Sequence, residues 1–472
     1  MKNTKKIKIL TLALVNYVSL FSTEKPNILF LFADDHAYDS IGLTSNGYVR
    51  TPTIDKLALE GVYFERAYNM GSWKPAVCVA SRTMLISGRS LWHAKKLVEE
   101  RSTSNQSAWT QSLKKVGYSS FFTGKWHIKE YNPILLFDHC GTIRPGMPST
   151  FNDNNRPIKG VIDKWSPSDR TMSGYWEGGK HWSELTAEET IDFLRQREKA
   201  DDGKPFFAYV SFNAPHDPRQ SPQNYLDLYD VKSVPLPNSF MPSYPYTRQL
   251  GIWGIRAEKL SPRPRTEFAV KKHRQEYYAL ISHLDAQIDR ILNELDRQNL
   301  RENTIVIYTA DHGLSLGNHS FFAKQSMYDH SLASPFIISG KNIPKGIRSK
   351  QRIYIQDAVP TCLELAGVPK SEYSYIQFKS LLPLSKNGTN RSKHPIYGAY
   401  CDKSRCIIED NWKLTYYSKI KKFQLFNLDN DPFELVDVID RPDNLTVSQD
   451  LLNLLKGCQK QFSDDLIIPE LK

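Results

Sequence analysis

Cysteine is scarce in this sequence. The chain has 472 residues, and its six cysteines are Cys78, Cys140, Cys362, Cys401, Cys406 and Cys458. No pair has Cys-x-x-Cys spacing, which argues against a dense disulfide framework and against a zinc ribbon. Cys401 and Cys406 are close enough in sequence to pair in an exported protein, and the sequence leaves that pairing open.

A hydrophobic segment long enough to span a bilayer is also missing. The best candidate, Ile9–Phe21, is too short and is interrupted by polar residues. Four lysines precede it, so residues 1–22 are predicted to be a secretory signal peptide. No cysteine lies in this segment to carry a lipid anchor. We therefore expect an exported protein, periplasmic or secreted, without a membrane span.

Acidic residues are fewer than basic ones. The formal net charge is +11, and removal of the four lysines of residues 1–22 would leave a mature charge of about +7. This excess suits a polyanionic ligand. No nucleic-acid-binding module is recognisable, so we expect no nucleic-acid partner.

Several buried-strand patterns end in polar side chains. Asn27–Ala33 is a continuous apolar run, as expected for a strand that is covered on both faces of a parallel sheet. Similar runs recur along the chain, and chemically versatile residues follow them: Asp34, Asp35, Lys125, His127, His216, Asp311 and His312. Each group alone is compatible with an ordinary loop. Because ligands bind at the carboxyl ends of strands in open α/β sheets, we expect the groups to converge there.

The segment around Cys78 is predicted to form a short helix with a cysteine at its N-terminus. Val79, Met84 and neighbouring apolar residues predict a helix that ends at Gly88. Cys78 would then lie at the helix N-terminus, where free N–H groups favour anions. Arg82, one turn later, would point to the same side. A buried structural cysteine with a surface arginine is the alternative.

The chain divides into three predicted parts. Residues 1–22 form the signal peptide, 23–392 a catalytic α/β domain and 393–472 a smaller α+β subdomain with an antiparallel sheet. Residues 140–179 and 217–265 are predicted to be irregular surface segments. Such segments often determine specificity. The candidate substrate rim comprises 140–182 and 213–265, with His181, Trp182, Arg219, Arg263 and Arg265.

The segment Cys78–Arg82 resembles the Cys-x-Pro-x-Arg signature of type I sulfatases. The resemblance covers roughly Lys25 to Phe462 and includes the paired aspartates, the Lys-x-His after Gly-Lys, the Pro-His-x-Pro segment, the Asp-His-Gly with a downstream lysine, and the tail Leu425–Glu434. These motifs arrive in the family's order. Two positions depart from the pattern: Ala80 stands where proline is usual, and His312 where many members have Asn or Gln.

The resemblance implies an alkaline-phosphatase-like mixed sheet flanked by helices, and a sulfuric ester hydrolase. It also implies that a formylglycine-generating enzyme oxidises Cys78 to formylglycine (3-oxoalanine), whose hydrated aldehyde attacks sulfur and later expels sulfate. The residues implied to hold one Ca²⁺ are Asp34, Asp35, Cys78, Asp311 and His312.

The remaining roles are also carried over from the family resemblance. Arg82 would orient the diol and lower its pKa, and His127 would be the base. Lys125 and Lys324 would bind sulfate oxygens, and His216 or Lys324 would protonate the leaving sugar oxygen.

The expected substrate is a sulfated polysaccharide or its oligosaccharides. The lysine-rich composition and the alanine-type signature look like those of polysaccharide-degrading enzymes of marine bacteria, and the algal polymer ulvan is our leading hypothesis. Carrageenan, fucoidan and glycosaminoglycans are alternatives. A phosphate or phosphonate ester hydrolase of the same superfamily is a second alternative, and an inactive carbohydrate-binding relative is a third.

Overall fold

The computed structural model describes residues 25–100, 108–149, 154–382 and 395–471. The predicted signal peptide, residues 1–22, and the predicted boundary between residues 392 and 393 lie outside these ranges. Within them, no helix combines the length and the apolarity needed to cross a membrane.

A nine-stranded mixed sheet forms the centre of the molecule, as predicted. Its strands, in spatial order, are β11 (Ile347–Ser349), β2 (Gly61–Tyr68), β10 (Ala333–Ser339), β9 (Thr304–Ala310), β1 (Asn27–Ala33), β8 (Phe206–Ser211), β4 (Ser119–Lys125) and β5 (His139–Arg144), and β12 (Ile353–Tyr354) also pairs with β2. Strands β9, β1, β8, β4 and β5 run parallel. Strand β10 runs antiparallel to both of its neighbours. The carboxyl ends of four central strands therefore lie at one edge.

Helices cover both faces of this sheet. The α-helices of the described residues are α1 (Pro52–Leu59), α2 (Val77–Ser87), α3 (Leu91–Glu99), α4 (Thr110–Lys115), α5 (Pro133–Leu136), α6 (Trp182–Ala200), α7 (Gln223–Leu226), α8 (Glu267–Arg297), α9 (Asp329–Leu332), α10 (Ala358–Leu365) and α11 (Leu445–Phe462). Helix α11 packs on the smaller C-terminal sheet instead. Alternate residues of β1 enter two cores: Phe30 and Phe32 pack with α2, α4 and α10, whereas Leu29 and Leu31 pack with α1, α6 and α8. This two-sided burial explains the continuous apolar run of β1.

A second sheet lies in the C-terminal part, and its antiparallel character was predicted. Its order is β16 (Lys422–Asn427), β15 (Trp412–Tyr417), β14 (Ser404–Glu409), β13 (Ile396–Tyr400) and β3 (Gly71–Ser72). Strand β3 comes from the segment just before Cys78 and pairs parallel with β13. The small sheet is thus joined directly to the chain that leads into α2. Cys401 and Cys406 are free thiols.

Two local predictions differ from the structure. Residues 140–179 were predicted to be irregular, but their first residues belong to the edge strand β5, and Trp176–Glu177 (β6) and Lys180–His181 (β7) form a short hairpin. Helix α6 begins at Trp182, four residues before Thr186, where the sequence pattern predicts its start, because the His181 side chain accepts a hydrogen bond from the Ser183 N–H and caps the helix. An edge strand and a histidine cap leave little trace in hydrophobic periodicity.

Candidate active site

The predicted strand ends converge in the structure. Asp34 and Asp35 follow β1, and Asp311 follows the adjacent strand β9. Lys125 is the last residue of β4, and its ammonium group pairs with the Asp34 carboxylate. The backbone N–H of Asp35 donates to Asp311 Oδ1 at 3.2 Å. Residues that are far apart in sequence therefore form one buried polar cluster at the carboxyl edge of the sheet.

Cys78 lies at this edge, in the first turn of α2. The N-cap residue of the helix is Ala76, whose side chain offers no hydrogen bond to the first N–H groups. Burial of Cys78 would raise the pKa of its thiol, but the ammonium groups of Lys125 and Lys324 outweigh burial and lower it. Lys324 Nζ lies 4.0 Å from Cys78 Sγ. The position is electropositive and suited to an anionic ligand.

Arg82 lies one turn after Cys78 and is buried, which excludes the surface arginine of the alternative interpretation. Its Nε donates to Asp311 Oδ2 at 3.1 Å. Its Nη1 donates to the Lys125 carbonyl at 3.0 Å and to Ser211 Oγ at 2.7 Å. Ser211 is the last residue of an apolar strand, so no pattern in the sequence singled it out. These contacts fix the guanidinium in one orientation.

The acidic cluster has the composition of a site for a hard cation. One ligand atom from each of Asp34, Cys78, Asp311 and His312 lies within 4.8 Å of the others. Asp34 Oδ1 and His312 Nε2 are buried and have no hydrogen-bond partner among the described residues. Burial raises the pKa of Asp35 to about 8, even though Lys324 opposes the shift. Orphaned acceptors and crowded carboxylates fit a cation that prefers oxygen ligands.

His216 extends the site from the loop after β8. Its Nε2 lies 3.8 Å from Asp35 Oδ2, and its Nδ1 lies 2.6 Å from the backbone carbonyl of Asp217. Burial, with a contribution from Lys324, lowers the pKa of His216 well below its usual value. Asp217 belongs to the Pro-His-x-Pro segment but was not among the predicted site residues.

His127 lies just beyond β4 and has a left-handed backbone conformation, with φ of 65°. Burial, reinforced by Lys125, lowers the pKa of this imidazole to about 3. The ring is therefore neutral at pH 7 and able to accept a proton. It lies so close to Gly146 that a Cβ atom there would overlap it. Gly146 thus contributes to the site by its lack of a side chain.

Several residues of the predicted substrate rim are interior instead. His181 is fully buried and caps α6, which differs from the exposed rim position that was predicted for it. Trp182 packs on the core, and the Arg144 guanidinium lies 4.8 Å from its ring centroid. Arg219 is buried with its Nη1 3.1 Å from His273 Nδ1. The sequence cannot distinguish buried arginine side chains in loops from exposed ones, because loops lack the hydrophobic periodicity that marks a buried face.

Arg265 is a further correction to the rim. Its guanidinium is buried and forms an ion pair with Glu258, which Arg263 also contacts at 2.9 Å. Arg263 and Arg265 therefore stabilise the loop through a buried carboxylate. Of the two side chains, only that of Arg263 is partly exposed.

Comparison with known proteins decides the family. A model of the sulfatase family matches residues 26–368, more than half of the chain. The chain belongs to the sulfatase family. A second model, the C-terminal part of N-sulphoglucosamine sulphohydrolase, matches residues 317–461. The resemblance noted in the sequence is thereby confirmed, and this sulfatase is a sulfuric ester hydrolase.

Relatives of this sulfatase cover most of its length. An arylsulfatase of Clostridium perfringens is 28% identical over 88% of this chain and 90% of that protein. An ulvan-active sulfatase of Formosa agariphila is 27% identical, over 90% of this chain and 80% of that protein. The solved phosphonate monoester hydrolase of Agrobacterium radiobacter has a TM-score of 0.70 with 18% identity, covering 93% and 96% of the two chains. The last comparison shows the shared fold alone.

Proposed function

We propose that this sulfatase hydrolyses sulfate esters on a sulfated polysaccharide or its oligosaccharides, with ulvan as the leading candidate. The observation that carries the proposal is the meeting of Cys78 and Arg82 with three carboxylates and two lysines at one buried edge. The ulvan-active relative supports the choice of polymer.

Two groups would complete the site. Formylglycine made from Cys78 by a formylglycine-generating enzyme would supply an oxygen nucleophile, and one Ca²⁺ would offset the negative charge of the sulfate. Asp34, Asp35, Asp311, His312 and the modified Cys78 would hold the cation. Asp34 Oδ1 and His312 Nε2, which are buried without a hydrogen-bond partner among the described residues, support this assignment.

The cationic side chains would bind and orient the sulfate. Lys125 and Lys324, which pair with Asp34 and Asp35, would contact sulfate oxygens as charge develops on them. Arg82 is held by Asp311 and would keep the nucleophile in line with the ester.

The two histidines would move protons. His127 is neutral at pH 7, so its imidazole can accept a proton from the nucleophilic residue. Lys324, or His216 in its protonated form, would give a proton to the leaving sugar oxygen, and His216 Nε2 faces Asp35 in the same cluster.

Mass spectrometry of the Cys78 peptide tests the nucleophile. The active protein should contain an aldehyde, or its hydrate, in place of the thiol, and Cys78→Ala should lose turnover. An unmodified thiol in fully active protein would refute the proposed nucleophile.

A substrate panel tests the class of substrate. Release of sulfate from ulvan oligosaccharides should exceed release from carrageenan, fucoidan and glycosaminoglycan oligosaccharides. Higher activity on one of these would replace ulvan, and higher activity on phosphate or phosphonate esters would favour the second alternative. That alternative has the support of a shared fold, which does not select the chemistry.

Export is part of the proposal. The basic and apolar pattern of residues 1–22 supports cleavage after translocation to the periplasm or beyond. N-terminal sequencing of the protein recovered from the periplasmic fraction should begin near Thr23, whereas a cytoplasmic protein that begins at Met1 would contradict export.

A further inference from the structure

A short 3₁₀ helix, Arg256–Lys259, contacts the loops of two active-site residues. At its start, Arg256 Nη2 lies 2.6 Å from Asp217 Oδ2, beside His216. Two residues later, Glu258 Oε1 accepts hydrogen bonds from the backbone N–H groups of residues 322 and 323, at 2.8 and 2.9 Å. Those residues directly precede Lys324. One helix of four residues thus links the supports of His216 and Lys324.

The helix is itself firmly placed. Ala257 and Leu260 pack with Ala323 in a small apolar cluster of their own. The carbonyl groups of Lys259 and Leu260 accept hydrogen bonds from the backbone of residues 155 and 156, at 2.7 and 3.0 Å. The helix therefore makes an apolar contact with the Lys324 loop, and its end is held by backbone hydrogen bonds from residues 155 and 156.

Glu258 is buried, and its charge is satisfied completely. Oε2 pairs with Arg263 and Arg265, while Oε1 accepts the two backbone N–H groups. A buried carboxylate without such partners would be costly. The arrangement orients the chain at Ala323, so that the next side chain, Lys324, reaches Asp35.

The second contact acts on His216 in the same way. Asp217 Oδ1 lies 3.5 Å from His216 Nδ1, and its other carboxylate oxygen pairs with Arg256. The backbone carbonyl of Asp217 lies 2.6 Å from the same Nδ1. Arg256 thus restrains the residue that fixes the orientation of the His216 ring.

We infer that Arg256 and Glu258 are positioning residues that set the places of His216 and Lys324 relative to each other. The inference rests on the proposed function, in which these two residues serve the leaving oxygen and the sulfate. His216 and Lys324 come from loops more than a hundred residues apart, and catalysis needs them placed to within a fraction of an ångström. A rigid element bonded to both loops supplies that precision.

The kinetic test compares two leaving groups. Arg256→Ala should lower kcat on a sulfated ulvan oligosaccharide about tenfold, and change kcat on 4-nitrophenyl sulfate less than about twofold, because only the sugar alkoxide needs a well-placed proton donor. KM should change little. Arg256→Lys, which keeps the charge, should recover most of the loss. Lys259→Ala is the matched control, because Lys259 is on the same helix and is exposed like Arg256, and it should behave as wild type.

The Glu258→Gln variant tests the contact between the helix and the Lys324 loop, and it keeps a side chain of similar size at position 258. It removes the charge that pairs with two arginines and should lower kcat on both substrates, because Lys324 serves the sulfate that the two esters share. A loss of kcat that only follows the loss of folded protein would indicate support of the fold alone and would overturn the inference.

A crystal structure of Arg256→Ala separates this inference from the proposed function. The His216 ring should leave its 3.8 Å contact with Asp35. If His216 and Lys324 keep their places, the inference is wrong, whatever the substrate. If they move while the wild type releases no sulfate from any ester, the inference stands and the proposed function fails.

Discussion

Arg82 and Ser211 form a hydrogen bond that joins the helix of the candidate nucleophile to the central sheet. The Arg82 Nη1 group donates to Ser211 Oγ at 2.7 Å, and the same hydroxyl donates to the Lys125 carbonyl at 2.7 Å. Ser211 is therefore shared between the guanidinium and the end of β4. It links the Arg82 guanidinium to the backbone of Lys125, close to Cys78.

Replacement of Ser211 by alanine should lower kcat about tenfold and stability by about 1 kcal/mol, because Arg82 Nη1 and the strand end lose one shared partner. Sulfate release and urea denaturation would measure the two effects. Ser334→Ala is a matched control, since Ser334 is a buried strand serine whose Oγ has no partner among the described residues. A kcat of Ser211→Ala equal to that of the control would contradict a role for Ser211.

Gly146→Ala should displace the His127 ring, because the new methyl group would overlap it. If His127 is the base, kcat should fall by at least about tenfold, toward the effect of removing a general base. Gly457→Ala is the control. It lies in α11 with nothing within 4 Å of the added atom, and alanine should there be neutral or slightly stabilising. Normal turnover by Gly146→Ala would argue against the assignment of His127.

Removal of divalent cations should destabilise the folded protein. The carboxylates of Asp34, Asp35 and Asp311 are buried together, so a bound cation relieves their repulsion. Calcium at 100 times its dissociation constant should add about 2.7 kcal/mol to the free energy of unfolding. Thermal denaturation of chelator-treated protein, with and without added Ca²⁺, measures this. Asp311→Asn should abolish most of the calcium-dependent shift, and an unchanged shift would place the cation elsewhere.

Acid should destabilise this protein partly through His319. Burial lowers the pKa of this imidazole from 6.5 to about 4, and its Nε2 lies 3.0 Å from the Glu434 carbonyl. Between these pH values the unfolded chain binds a proton that the folded chain does not, so stability falls as pH drops from about 6.5 to 4, by at most ~1.4 kcal/mol per pH unit. Urea denaturation at pH 4.5 and 7.5 should show a smaller difference for His319→Gln than for wild type. The exposed His139→Gln should leave the difference unchanged.

Much of the fold and of the site follows from sequence alone. Apolar runs such as Asn27–Ala33 predict strands that are covered on both faces, and a polar group directly after each run must lie at the carboxyl edge of a parallel sheet. Cys78 and Arg82 share a helix face because one turn separates them. These inferences are reliable because they depend on local geometry, namely the period of a strand or helix and the position of its end.

The tertiary structure decided the features that depend on which loops meet. Ser211 ends an apolar strand, Gly146 has no side chain, and Glu258 lies in a segment without periodicity, so none of them carries a local signal. For the same reason His181 was predicted at the substrate rim, although it is buried as a helix cap. Whether a loop cation faces solvent, a sulfate or a buried carboxylate depends on partners distant in sequence, and only the packed structure brings those partners together.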